Sequence, residues 1–163
     1  MSEAEKVYQA LDTLGIEYEK YEHPPVMTIA DIEDLDFTIE PMHCKNLFLR
    51  NSKGNQHYLA IVHHEKKANT RAIAQKIGST RLSFASDKRL KTHLGLEPGG
   101  VSVFGLMNNE DNKVIVLVDE DLKKEGKITF HPNVNTASIT ISYEDFEKFL
   151  NDQKNPVRYI KME

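Results

Sequence analysis

Cysteine and tryptophan are nearly missing from this 163-residue sequence: there is one Cys, no Trp, and only eight Gly and six Pro. A single thiol, Cys44, excludes an internal disulfide framework and fits a reducing compartment. No apolar run approaches the roughly 20 residues that cross a bilayer, so no membrane partner is expected. The opening Met1-Ser2-Glu3-Ala4-Glu5-Lys6 is acidic, unlike the basic and then apolar start of a secretory signal. Repeats, low-complexity tracts and linkers are lacking as well. So are a Gly-x-x-x-x-Gly-Lys-Ser/Thr loop, a Gly-x-Ser-x-Gly elbow and a Cys-x-x-Cys pair. These absences, with 39% hydrophobic and 28% charged residues, point to a cytoplasmic protein forming one domain over residues 1–163.

What is present is a mixture of helices and strands without strict βαβ alternation. Ser2 to Leu14 predicts an amphipathic helix with Val7, Ala10, Leu11 and Leu14 on one face and Gly15 as its stop. Ile16 to Tyr21 alternates like a strand, which His23-Pro24-Pro25 breaks. Thr28 is placed to cap a short helix ending at Leu35. Lys45–Arg50 and His57–Val62 predict a hairpin. Asn69 and Ser86 cap helices that Gly78 and Gly95 end, and Ser142 opens a third helix, to Leu150. Val101–Phe104, Val114–Val118, Ile128–Phe130 and Ala137–Ile141 read as strands, with Val157–Ile160 as an edge. The expected class is α+β (mixed α/β), with a bent, barrel-like mixed sheet flanked by helices.

Charge is unevenly spread. Residues 66–91 hold eight basic side chains against one acid, a net +7, while the rest of the chain carries −11. Such a segment attracts phosphate although the whole molecule is acidic, or it is simply a pair of solvated helix faces. Three spots offer chemistry. The loop His131-Pro132-Asn133-Val134-Asn135-Thr136 lies between two strands, has no glycine, and combines one imidazole with several donors and acceptors. It suits recognition of a polar ligand, although His-Pro-Asn is also ordinary turn chemistry. Lys45-Asn46 puts an ammonium and an amide at the mouth of an apolar strand. Gly99-Gly100 lets a ligand approach main-chain groups closely. Metal binding is not expected at His63-His64-Glu65, because adjacent side chains on a strand point to opposite faces. Cys44, between His43 and Lys45, reads as a packed thiol more than a reactive one.

These spots recur together in one family. Lys45-Asn46-Leu47-Phe48-Leu49, Arg81-Leu82-Ser83-Phe84-Ala85-Ser86, the run from Leu94 to Ser102, and the run from His131 to Ala137 appear in that order. The chain resembles the YbaK-like, prolyl-tRNA-synthetase-associated domain family, and within it the free-standing editing members that act on alanyl-tRNA(Pro). Val103 departs from the family's usual Gly-x-x-x-Pro loop. The resemblance implies hydrolysis of the ester joining a wrong amino acid to the tRNA 3′ end, without metal or cofactor. It implies catalytic roles for Lys45 and Asn46 (terminal phosphate or ester carbonyl), Gly99 and Gly100 (attacking water) and His131 (pocket shape). Lys66, Lys67, Arg71, Lys76, Arg81, Lys88 and Arg89 would then contact the tRNA backbone. The expected partners are tRNA(Pro) mischarged with a small amino acid and prolyl-tRNA synthetase. A deacylase for Cys, Ser or Gly, a non-catalytic tRNA-binding module and a small-molecule-binding domain are the alternatives.

Overall fold

Strand His57–Val62 (β3) lies in the middle of the larger sheet, and its side chains show how the molecule is layered. Leu59 and Ile61 enter one hydrophobic cluster, whereas Ala60 and Val62 enter a second on the opposite face. The two-residue period sends alternate residues to opposite sides, so a continuous apolar run marks a strand covered on both faces. The partner strands Lys45–Arg50 (β2) and Ile115–Asp119 (β5) divide in the same way. Phe48, Val116 and Val118 face the first cluster, and Leu49 and Leu117 face the second.

The computed structural model describes residues 2–27, 29–35, 37–41 and 43–162. Its larger sheet has the order β4-β2-β3-β5-β8, where β4 is Ser83–Phe84 and β8 is Val157–Ile160. β2 pairs antiparallel with β3 and β4, while β3–β5 and β5–β8 are parallel. A smaller antiparallel sheet contains Glu19–Glu22 (β1), Ala137–Ser142 (β7) and Lys127–Phe130 (β6), in the order β1-β7-β6. The α+β class holds. The strands of this bent, mixed arrangement divide between two sheets, linked by a parallel bridge between His43 and Thr129.

Helix ends follow local chemistry. In Glu3–Thr13 (α1), Ser2 Oγ accepts from the Glu5 N–H at 3.1 Å and Glu5 returns a bond to the Ser2 N–H, forming a capping box. Ile29–Glu33 (α2) follows the proline pair, and its expected cap Thr28 lies outside the described residues. Asn69 caps Thr70–Ile77 (α3), Ser86 caps Asp87–Leu94 (α4) and Ser142 caps Tyr143–Asp152 (α5). Gly78 and Gly95 end α3 and α4 with left-handed backbones, at φ of 71° and 66°. Ile73 and Ala74 of α3 pack in the second cluster, whereas α1, α4 and α5 contribute to the first.

Two expectations fail. Val101–Phe104 is not a strand: Ser102 Oγ accepts from the Phe104 N–H at 3.2 Å and starts a 3-10 helix, Val103–Asn108. Val103, Phe104, Gly105 and Leu106 are all buried, so the run had no periodicity that distinguishes a strand from a helix. The first strand also starts three residues later than expected. Ile16 is buried, but its N–H bonds back to the Leu11 carbonyl, and pairing with β7 begins only at Glu19.

Candidate active site

The segment entering β2, the end of β6 and the diglycine turn enclose a recess with about 550 Å³ of free space continuous with solvent. It is lined by His43, Cys44, Asn46, Gly99, Val101, Phe130 and His131. The bridge between the sheets makes this meeting possible, because His43 pairs with Thr129 and the Cys44 N–H donates to the Thr129 carbonyl at 3.3 Å. Gly99 has φ +88°, and a Cβ there would lie 2.6 Å from Met27 Sδ. Gly100 is buried against the facing loop, with its N–H turned back to the Glu97 carbonyl at 3.1 Å. The loop then runs directly into Ser102 and fully buried Val103, so the Ser102 cap and an apolar anchor fix its end without a proline.

Three imidazoles gather beside the recess. Those of His43 and His131 have centroids 4.6 Å apart, and His23 lies 6.3 Å from His131. Ser138 Oγ bridges two of them, at 2.8 Å from His23 Nε2 and 2.6 Å from His43 Nε2. His23 Nδ1 donates to the Pro24 carbonyl at 2.8 Å, and His131 Nδ1 donates to the Ala137 carbonyl at 3.1 Å. Burial, reinforced by His131 and His23, pushes the His43 pKa down to about 3. Burial also lowers that of His131, partly offset by its bond to Ala137. Both rings are therefore neutral at physiological pH.

A family model described as the aminoacyl-tRNA editing domain matches residues 23–149, spanning every residue of this recess. The chain belongs to the aminoacyl-tRNA editing domain family. It is 41% identical over 162 residues to the prolyl-tRNA editing protein ProX of Acetoanaerobium sticklandii, covering 99% of both chains. It is 31% identical over 146 residues to the prolyl-tRNA synthetase associated domain-containing protein 1 of Bos taurus, covering 87% of this chain and 85% of that protein. In fold it is similar to a crystal structure described as a candidate trans-editing enzyme for prolyl tRNA synthetase. That match has a TM-score of 0.73 at 19% identity and covers 100% of this chain and 99% of the other.

Within this editing domain, Asn46, Gly99 and His131 line one recess, and Gly100 lies in the same turn. Lys45 is not among the lining residues. Its ammonium donates to the Lys66 carbonyl, on the other side of the strand from Asn46. Asn46 Nδ2 donates to the Cys44 carbonyl at 3.2 Å, so its Oδ1 is the free end. Cys44 is a packed thiol: burial pushes its pKa up to about 12, and Sγ lies 3.6 Å from the Thr129 carbonyl.

The basic side chains divide by environment. Lys66 is held 2.8 Å from Asp119 and 2.7 Å from Asp121, and it also bonds the Met162 carbonyl. Arg89 donates to the Gly54 carbonyl at 2.9 Å and contacts His57 Nε2 at 3.0 Å. Lys76 donates to the Lys161 carbonyl. These contacts give Lys66 and Arg89 structural duties that the sequence did not reveal. Lys67, Arg71, Arg81 and Lys88 are exposed, and Arg71 and Arg81 line one groove with Thr70, Gln75 and Ser79.

His63 and His64 do converge, contrary to expectation. β3 ends at Val62, and the turn closed by Lys66 N–H on the His63 carbonyl replaces strand alternation. The rings stack with centroids 4.5 Å apart beside Glu125. His63 uses both nitrogens in protein hydrogen bonds, Nδ1 with the Glu65 N–H and Nε2 with Glu125. Nothing local in the sequence marks His23, beside its proline pair, or His43 as part of this site, because both depend on Ser138, 115 and 95 residues away.

Proposed function

We propose that this chain is a cytoplasmic trans-editing deacylase, hydrolysing the ester of tRNA(Pro) mischarged with a small amino acid, alanine foremost. The observation that carries this reading is the gathering of Asn46, Gly99 and His131, from three distant segments, around one recess of an editing domain. The names of the relatives set out above support tRNA(Pro) as the substrate. The task has a physical rationale: a synthetase pocket gains only about 1–3 kcal/mol of discrimination per missing methylene, so a second pocket must remove the smaller amino acid.

An activated ester demands little of the protein. The Gly99 main chain holds a water, and its oxygen attacks the ester carbonyl carbon while the C–O bond to the ribose 3′ oxygen breaks. The proton lost by water passes through the neighbouring ribose hydroxyl to the leaving 3′ oxygen, yielding free amino acid and intact tRNA. Val101 and Phe130 give the recess an apolar wall suited to a methyl side chain, and neutral His131 shapes it. Lys45 leaves the Lys66 carbonyl to meet the terminal phosphate or the ester carbonyl, where an ammonium finds a stronger acceptor. Arg71, Arg81, Lys67 and Lys88 take the tRNA backbone, with prolyl-tRNA synthetase as the partner that generates the substrate.

A deacylation panel with tRNA(Pro) carrying Ala, Ser, Cys, Gly or Pro tests the reading. Rapid loss of alanyl-tRNA(Pro) with prolyl-tRNA(Pro) spared is expected. Protection of alanyl-tRNA(Pro) from spontaneous hydrolysis would instead identify a binding module.

A further inference from the structure

Two residues that line the recess, His43 and Asn46, each carry a buried acceptor atom that no described donor meets. His43 Nδ1 and Asn46 Oδ1 are both buried, and neither has a hydrogen-bond partner among the described residues. Their polarity is fixed by what lies behind them. The Pro24 carbonyl can only accept, so His23 carries its proton on Nδ1 and, when neutral, leaves Nε2 bare. Ser138 then donates its hydroxyl proton to His23 Nε2, and His43 must donate from Nε2 to Ser138 Oγ. Nδ1 of neutral His43 is thereby left as a bare lone pair. Asn46 is fixed more simply, since its NH2 faces the Cys44 carbonyl and its oxygen is the end left over.

We infer that His43 Nδ1 and Asn46 Oδ1 form a receptor for the free α-ammonium group of the aminoacyl ester, with Ser138 and His23 as positioning residues that hold His43 in its accepting tautomer. This rests on the deacylase reading above and adds to it which part of the substrate is recognised. Of the groups on an aminoacyl moiety, the ammonium alone donates and never accepts, matching a pair that accepts and never donates. Buried polar groups without partners are rare in folded proteins, and a bound ligand is one reason they persist. The competing occupant is the attacking water, with His43 as its general base. An imidazole whose pKa is depressed to about 3 is a poor base at neutral pH but remains a good hydrogen-bond acceptor. A site that reads the free amine also spares N-blocked esters such as peptidyl-tRNA.

The test compares alanyl-tRNA(Pro) with lactyl-tRNA(Pro), made from it by nitrous acid deamination, so that the amine becomes a hydroxyl of nearly the same size. Each rate is divided by the uncatalysed hydrolysis rate of the same ester. The wild-type protein is expected to favour the alanyl ester by at least tenfold on this scale. H43L and N46L should each bring that preference to within about twofold of unity, and S138A should reduce it while the protein stays folded by circular dichroism. H43N, which restores an amide near Nδ1, should recover part of it. If wild type treats both esters alike, or if folded H43L and N46L both keep its preference, the receptor is overturned while the deacylase stands. If wild type hydrolyses neither ester, the deacylase reading itself fails and the receptor with it.

Discussion

A Cβ on Gly100 would sit 2.9 Å from the Asn133 carbonyl oxygen and 3.3 Å from Val134 Cα. The diglycine turn and the His-Pro-Asn loop thus touch main chain to main chain, and this contact sets one wall of the recess. The neighbouring atoms are backbone and cannot swing aside. Gly100→Ala should therefore push the loops apart, costing about 1–3 kcal/mol as overpacking does, and should lower deacylation of alanyl-tRNA(Pro) more than tenfold. Urea denaturation and a single-turnover assay check the two effects. Gly100→Ala with wild-type stability and rate would show that the loops are not held together here.

Lys66 and Asp119 supply a second prediction. Asp119 is fully buried and also accepts from the His63 and Asp121 N–H groups, each at 3.1 Å. Removing the ammonium leaves a buried carboxylate without its cation, so Lys66→Met should destabilise the fold by about 3 kcal/mol. Exposed Arg71 and Arg81 should behave oppositely. Arg71→Ala and Arg81→Ala should leave the melting temperature within about 2 °C, as surface substitutions do. Each should reduce the slope of log affinity against log salt for tRNA by about one. Thermal melts and salt-dependent filter binding separate the two classes.

The contrast among these basic residues shows what the sequence could and could not reveal. Caps were legible because they are local: Asn69, Ser86 and Ser142 each accept from an N–H three residues ahead. The central strands were legible because burial on both faces needs an unbroken apolar run. Val101–Phe104 was misread because total burial erases periodicity, and β4, only two residues long, gives no pattern at all. Asn46, Gly99 and His131 stand out in the sequence through their motifs, and the fold brings them to one recess. His23 and His43 do not stand out, since their chemistry comes from one serine on β7 that brings two remote imidazoles together. The +7 segment was a correct count, but composition cannot tell a lysine facing solvent from one facing Asp119.

Stability should fall on acidification, and histidine explains the window. Burial holds the folded pKa of His43 at about 3, and burial together with His93 and Arg89 holds that of His57 at about 4. In the unfolded chain each imidazole takes up a proton near pH 6.5. Between that value and the folded pKa the unfolded state binds more protons, so stability decreases as pH falls. Each group contributes a slope of at most about 1.4 kcal/mol per pH unit. Chemical denaturation at pH 7.5, 6 and 5 should show progressive loss, and His57→Gln should flatten the profile. A profile that is level from pH 7.5 to 5 would contradict burial of neutral imidazoles.

Lys45 offers the sharpest test of the catalytic assignment, because its ammonium rests on the Lys66 carbonyl and does not line the recess. If that bond is its whole purpose, Lys45→Met removes one hydrogen bond at the end of β2, with a net cost of about 1 kcal/mol, and leaves the chemistry intact. If Lys45 turns to the substrate on binding, it supplies a charge where negative charge develops, and removing such a donor costs roughly 10²–10³ in rate. We expect the second outcome, with Lys45→Met folded, able to bind alanyl-tRNA(Pro), and at least 100-fold slower in single turnover. Lys45→Arg should recover part of the binding to a phosphate but less of the rate, since a planar guanidinium cannot replace a compact ammonium at one carbonyl oxygen. Wild-type rates in Lys45→Met would restrict Lys45 to holding the Lys66 turn.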